Sequence, residues 1–275
     1  MKGECELSIF LICFLQILLY TLGVIVICGL VMEVCYQICF YLMGGRATRI
    51  FWIVTGWLGT PIHELGHAIT CLLFCHRIET IRLWPSRKGG AAVEHSYNRR
   101  NPLAVFGNVW IALGPIFAGL AVIVLGLALV YPSTMDELRQ ALSSPLPALS
   151  LAEEAVWHVG VLIKGICLEQ TQALGWRIVA LCAMLSVSLH VRLSVADLKG
   201  MLRGLPMYAC LTAIVAAVIA MMGSEAHGAT VDILRRVAWV IVLLFSLILM
   251  FALALLLLLL ILRLMCALVA FFFRK

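Results

Sequence analysis

Apolar side chains run along this chain in long blocks, and polar positions fall mainly in the gaps between them. A block of about 20 apolar residues is what a helix needs to cross the hydrocarbon core of a bilayer. The first block, Leu7 to Met43, is longer than one upright span. Glu33 and Gln37 predict that the span, 8–31, ends near residue 31, with a tilted or interfacial continuation to Gly44-Gly45-Arg46. The later blocks predict spans at about 50–75, 103–131, 176–203, 206–222 and 237–262, the last overlong and interrupted by Arg263.

Two connections differ in character. In the first, residues 76–101, Ile78 to Leu83 alternate as a strand would. A turn follows Pro85 at Lys88-Gly89-Gly90, and Ala91 to His95 return as a second strand. The second, residues 132–173, carries Asp136, Glu137, Glu153 and Glu154. It holds a segment at 150–170 too short to cross, which reads as an interfacial helix, either a passive connector or a gate to entry from the outer side. The expected fold is an all-α polytopic membrane protein of about six transmembrane helices. A small membrane-associated β-hairpin follows the second of these, and residues 1–275 form a single domain without internal repeat.

Composition agrees with the pattern. The chain is 64% hydrophobic and 12% charged, whereas soluble domains are about a quarter charged, so a water-facing globule is excluded. The net charge of +6 sits in loops, as membrane topology requires, and points to no nucleic acid partner. Six Lys and Arg between 76 and 101 place that loop in the cytoplasm. An even number of spans then puts both termini there, in agreement with Lys2, Arg274 and Lys275, whereas Arg46, Arg49, Arg235 and Arg236 do not fit. The first apolar run is too long for a signal-peptide core and lacks a small-residue cleavage site, so it reads as a retained anchor. Most of the eleven cysteines lie in apolar runs, where they act as small hydrophobes.

Within 51–75 the single formal charge is Glu64, inside His63-Glu64-Leu65-Gly66-His67. A carboxylate and two imidazoles are costly in hydrocarbon, so such groups mark function. On a helix His63 and His67 are i and i+4, and both rings emerge from one face. They can grip one zinc ion while Glu64 stands beside it as general base. Pro61, with Gly56 and Gly59, predicts a break or kink just ahead of them. Cys71 and Cys75 continue the helical spacing. They read as packing residues, because a catalytic zinc keeps one position open.

Two histidines leave the site incomplete, and Asp197 is the best-placed third ligand. His67 stands about 15 Å before Arg77 along a helix and Asp197 about 13 Å before Pro206, so the groups reach similar depth if both helices descend to one face. Alternatively, Asp197 neutralises Arg192 or Lys199. Glu94, His95 and His190 are the competing ligands.

The order of these features resembles the site-2 protease family of intramembrane zinc metalloproteases, in its compact bacterial branch. The features are His63-Glu64-Leu65-Gly66-His67 in a span, a strand-forming loop, Gly114-Pro115 in the next span, and Asp197 two spans after the motif. The resemblance covers residues 50–205, the expected catalytic core. It implies that His63, His67 and Asp197 hold one zinc ion, with Glu64 as catalytic base. It also implies cleavage of a transmembrane protein substrate in the bilayer, in a bacterial cytoplasmic membrane. Two positions depart from the family pattern. Ala118 stands where an Asn often follows the proline, and Leu198 stands where Gly commonly follows the Asp. No regulatory insert such as a PDZ or CBS domain is visible. The competing functions are a non-proteolytic scaffold or receptor, a metal transporter, and a membrane metallopeptidase with a late glutamate ligand. Glu64 fits water activation, which transport does not need. Glu225 and Asp232 lie in a loop rather than a span.

Overall fold

The computed structural model describes residues 2–43, 45–85, 90–143 and 151–272. Nine helices and one hairpin are seen among them. The chain opens with α1 (Lys2–Leu18), a five-residue π turn (Leu19–Gly23) and α2 (Val24–Met43), which run on as one apolar rod. Single π turns inside helices often mark functional positions or contacts. Here the turn presents Thr21 to the Tyr208 hydroxyl at 2.7 Å. The rod does not stop near residue 31. Glu33 marks no helix end, because it pairs with Arg192 at 2.5 Å and accepts from Gln37 at 2.7 Å.

Helix α3 (Gly45–Leu73) carries the motif. It passes through Pro61 as continuous helix, where a break was expected. A helical proline leaves the carbonyl four residues back without its donor, here that of Trp57. The indole N–H of Trp84 takes its place at 3.0 Å. Strands β1 (Arg77–Arg82) and β2 (Ala92–Ser96) pair antiparallel, with Ile81 opposite Val93 and a bulge between Ile78 and Thr80. This is the expected hairpin to within a residue at each end. Of its expected turn, Lys88 and Gly89 lie outside the described residues.

Helix α4 (Pro102–Val130) is the central element. Asn101 caps its start, accepting the Leu103 N–H at 3.0 Å, and a run of buried residues from Ile111 to Ile116 packs inward. It touches α3 backbone to backbone. A Cβ on Gly66 would lie 2.6 Å from the Gly114 carbonyl group, and one on Gly114 would lie 2.4 Å from the Gly66 oxygen. Both positions require glycine for this approach.

The polar connection folds as α5 (Pro132–Ser143), which the sequence pattern missed, and α6 (Leu151–Leu168), the expected non-crossing helix. Glu169 joins them. It accepts from Ser133 at both backbone and hydroxyl and from the backbones of Gln170 and Thr171. These donors, the Ser133 hydroxyl foremost, hold its carboxyl at about 2.

The expected span 176–203 is two elements. Helix α7 (Leu174–Ser188) has 15 residues, about 22 Å, too short for a hydrocarbon core of about 30 Å. A buried turn at 189–194 follows, then α8 (Val195–Met222) runs through Pro206, the expected boundary. Gly223, at φ 96°, turns the chain into α9 (Ser224–Phe272), which begins well before residue 237. Among the described residues four helices are long and apolar enough to cross a membrane: Leu7–Leu42, Pro102–Val130, Val195–Met222 and Ser224–Val269. Six were expected. Helix α3 is long enough, but Pro61, the histidines and Glu64 dilute its apolar run, and α7 is too short. The class is as expected: a helical integral membrane protein with one small hairpin.

Candidate metal centre

The geometry begins on α3, where the rings of His63 and His67 stand edge to face with centroids 5.1 Å apart. In each ring Nδ1 faces a backbone carbonyl. His63 donates to the His190 oxygen at 2.9 Å and His67 to the Ile111 oxygen at 2.8 Å. A carbonyl only accepts, so both rings carry hydrogen on Nδ1 and leave Nε2 as a lone pair. Such outer contacts are what orient metal-binding imidazoles.

Each carbonyl is available because a helix is interrupted nearby. Pro115 lies four residues after Ile111 and has no N–H to give it. His190 lies in the turn after α7, where its carbonyl leaves the helical ladder and accepts the Arg192 N–H at 3.0 Å beside the His63 ring.

Asp197 comes from the opposite side, at the start of α8 rather than near a helix end as the sequence suggested. Ser194-Val195-Ala196-Asp197 is a capping box: the Ser194 hydroxyl accepts the Asp197 N–H at 3.2 Å, and Asp197 Oδ2 accepts the Ser194 N–H at 2.9 Å. The N-terminal end of the helix dipole favours a carboxylate there. Oδ1 lies 3.1 Å from His67 Nε2, and Oδ2 lies 3.9 Å from His63 Nε2. One ligand atom from each of the three residues lies within 4.8 Å of the other two. Two lone-pair nitrogens and a carboxylate converging in this way fit a zinc ion with one position left open.

Glu64 is buried at 8% exposure and shares a cavity wall with Val93 on β2, whose backbone lies close to its carboxylate. The group of four opens on a cavity of about 590 Å³, whose walls include Tyr36, Thr60, Val93, Asn108 and Arg192. Arg192 stacks 3.7 Å over the Tyr36 ring while it pairs with Glu33.

The competing ligands go elsewhere. Glu94 pairs with Arg82 at the surface. His190 contributes its carbonyl, and its ring packs on Gly59, where a Cβ would lie 2.2 Å from Nδ1. His95 bonds to His76. Sequence reasoning missed the roles of Ile111, Val93 and Ser194. Gly114-Pro115 and the Ser-x-x-Asp spacing were the available signals.

These features define a membrane-embedded protein with a candidate mononuclear metal centre of two histidines and an aspartate. Residues 32–135 match the family model described as Peptidase M50B-like, a site-2 protease family. That segment takes in His63, Glu64 and His67 and stops short of Asp197, and peptidases of this family use zinc. No curated protein and no solved structure matches the chain.

Proposed function

We propose that this protein is an intramembrane zinc endopeptidase that hydrolyses a peptide bond within or next to a transmembrane segment of another membrane protein. The observation that carries this reading is the convergence of the His63 and His67 Nε2 atoms with Asp197 at one wall of a cavity, with Glu64 beside them. His63, His67 and Asp197 hold one ion. When bound there, zinc lowers the pKa of a coordinated water to roughly 7 and polarises the scissile carbonyl.

The remaining chemistry belongs to the chain. Glu64 takes the proton from the attacking water and delivers it to the leaving amine, the role of a positioned general base and acid. The Val93 backbone beside it supplies no competing charge. The Nδ1–H bonds to His190 and Ile111 hold both imidazoles in one tautomer through the cycle. The cavity admits water, which the hydrocarbon excludes. A helical substrate must unwind before its carbonyls become accessible, and β2, which contributes Ala92 and Val93 to the cavity wall, is placed to pair with the extended segment.

The basic 76–101 loop supports a cavity mouth on the cytoplasmic side, and the likeness to the compact bacterial branch supports a bacterial cytoplasmic membrane. Regulated intramembrane proteolysis, the release of a cytosolic factor from a membrane anchor, is the role that suits such an enzyme. The test is to purify wild type, Glu64→Gln and Asp197→Ala, measure bound zinc, and assay a panel of single-span substrates. Glu64→Gln should keep zinc and lose cleavage, and Asp197→Ala should lose both. Equal zinc in all three proteins would remove Asp197 from the site, and cleavage by Glu64→Gln would remove the general base.

A further inference from the structure

One helical turn beyond His67 on the same face of α3 stands Cys71, fully buried. Taken as sequence it is a packing residue. In the fold it meets two imidazoles. Two residues past the end of α3 stands Cys75, whose φ of 59° is uncommon for a residue other than glycine. That left-handed residue folds the chain back so that the His76 N–H reaches the Cys71 oxygen at 2.8 Å, and the His76 side chain comes down beside the Cys71 thiol. The hairpin then returns, and β2 delivers His95 to the same place. Sulfur and nitrogen atoms of Cys71, His76 and His95 all lie within 4.8 Å of one another.

The His76 ring is oriented as a metal ligand would be. Its Nε2–H donates to the Ala104 oxygen at 2.8 Å, which leaves Nδ1 as the lone pair, and Tyr97 stacks on the ring at 4.7 Å. That Nδ1 faces His95 Nδ1 at 2.9 Å. Two nitrogens on one tetrahedral zinc stand about 3.3 Å apart, given bonds of about 2.0–2.1 Å. The two nitrogens are therefore within a few tenths of an ångström of the separation that a shared ion requires, and turning the rings toward one point completes the site.

We infer that Cys71, His76 and His95 form a second metal site for a zinc-like divalent ion, separate from the centre of His63, His67 and Asp197. One thiolate and two imidazoles suit such a borderline-soft ion. On binding, the Cys71 thiol releases its proton to solvent as the sulfur–metal bond forms, and His95 keeps its hydrogen on Nε2 instead of Nδ1. The ion clamps the hairpin to the catalytic helix. His95 and Val93, two residues before it, line the main cavity together with Glu64, so the clamp fixes the wall against which that carboxylate is set. This site stands whether or not the first centre is hydrolytic.

The full chain is purified in mild detergent, saturated with zinc, freed of loose metal and assayed for metal per chain. Wild type should hold two ions, and Cys71→Ser, His95→Gln and the double variant His63→Ala/His67→Ala should hold one each. Cobalt provides an independent signature. The first centre has no sulfur, so thiolate-to-cobalt charge-transfer absorption reports the second alone. It should appear in wild type and in His63→Ala/His67→Ala and vanish in Cys71→Ser. If the histidine double variant holds no metal, or if wild type lacks the thiolate band, the second site is refuted. If the double variant keeps both ions while Cys71→Ser loses one, the first centre fails and the second stands. Should Cys71→Ser not fold, His95→Gln decides: it should hold one ion and lose the tetrahedral thiolate band, and an unchanged band would assign the sulfur to another of the eleven cysteines and refute the site.

Discussion

Pro115 sets the tautomer of His67, a ligand in the proposed zinc centre, and replacing it with alanine tests that claim. The proline leaves the Ile111 oxygen without an intrahelical donor, and His67 Nδ1–H occupies it at 2.8 Å. Alanine restores an N–H aimed at the same oxygen. A carbonyl has two lone pairs, so the histidine bond is weakened rather than abolished. Removing such an outer contact altogether costs about 10–100-fold in metal affinity. Competition should therefore give about tenfold, equivalent to about 1.4 kcal/mol.

Pro61 supplies the control. Its missing N–H frees the Trp57 oxygen for Trp84, away from the metal ligands. Pro61→Ala makes the same chemical change in the motif helix and should leave zinc affinity within about twofold, by the same reasoning. The assay is titration of each purified protein against a chromophoric zinc chelator, with thermal unfolding to verify folding. Wild-type affinity in Pro115→Ala refutes the tautomer argument. Equal weakening in both variants assigns the effect to helix geometry instead.

Four further outcomes follow from the same contacts. Asp197→Asn keeps an oxygen to accept the Ser194 N–H but loses the charge, so it should fold like wild type and bind zinc at least about 100-fold more weakly; wild-type affinity would make Asp197 a cap alone. Gly66→Ala drives a Cβ to 2.6 Å from the Gly114 backbone, and the unfolding midpoint should fall by the equivalent of about 1–3 kcal/mol or more, whereas an unchanged midpoint would refute the close approach. Val93→Pro removes the backbone N–H that faces Glu64, so it should lose cleavage while keeping zinc, and Val93→Ala should keep both; equal activity in the two would free Glu64 of that contact. Glu169 is depressed to about 2, so its stabilisation is complete above its unfolded pKa near ~4.3 and fades as pH falls through about 2. Melting curves of Glu169→Gln should lie below wild type at pH 7 and converge with it toward pH 2, and a gap independent of pH would contradict the assignment.

The membrane class, the hairpin and the motif helix were legible because each depends on a local pattern. Apolar blocks reflect what lipid demands of side chains, and the His63–His67 spacing reflects one helical face. What failed was the reading of polar residues and prolines as boundaries. Glu33 reads as a helix end only if its partner is water. Arg192 is its partner, brought from the turn after α7, and no sequence pattern reports that. Pro61 and Pro206 read as breaks on the same local logic, yet both lie within continuous helix. For Pro61 a tertiary donor, Trp84, fills the gap. The α7–α8 break escaped notice for the opposite reason. Leu189, Val191 and Leu193 are buried, so the turn is as apolar as the helices it joins.

That concealed turn explains why Asp197 is well suited to hold a metal, for reasons the original depth estimate did not contain. An aspartate in mid-helix has both oxygens free to rotate, and its charge is countered only by whatever lies opposite. At the third residue of α8 one oxygen is held by the Ser194 N–H, which removes the rotational freedom that ligation would otherwise have to overcome. The second oxygen is left facing His67. The helix N-terminus also stabilises the ionised form before any metal arrives. The same economy governs the histidines, whose partners are carbonyls that a proline and a turn take out of the helical ladder. In each ligand the outer contact comes from an irregularity of the backbone. A helix regular from end to end could display the three side chains but could not hold them in place.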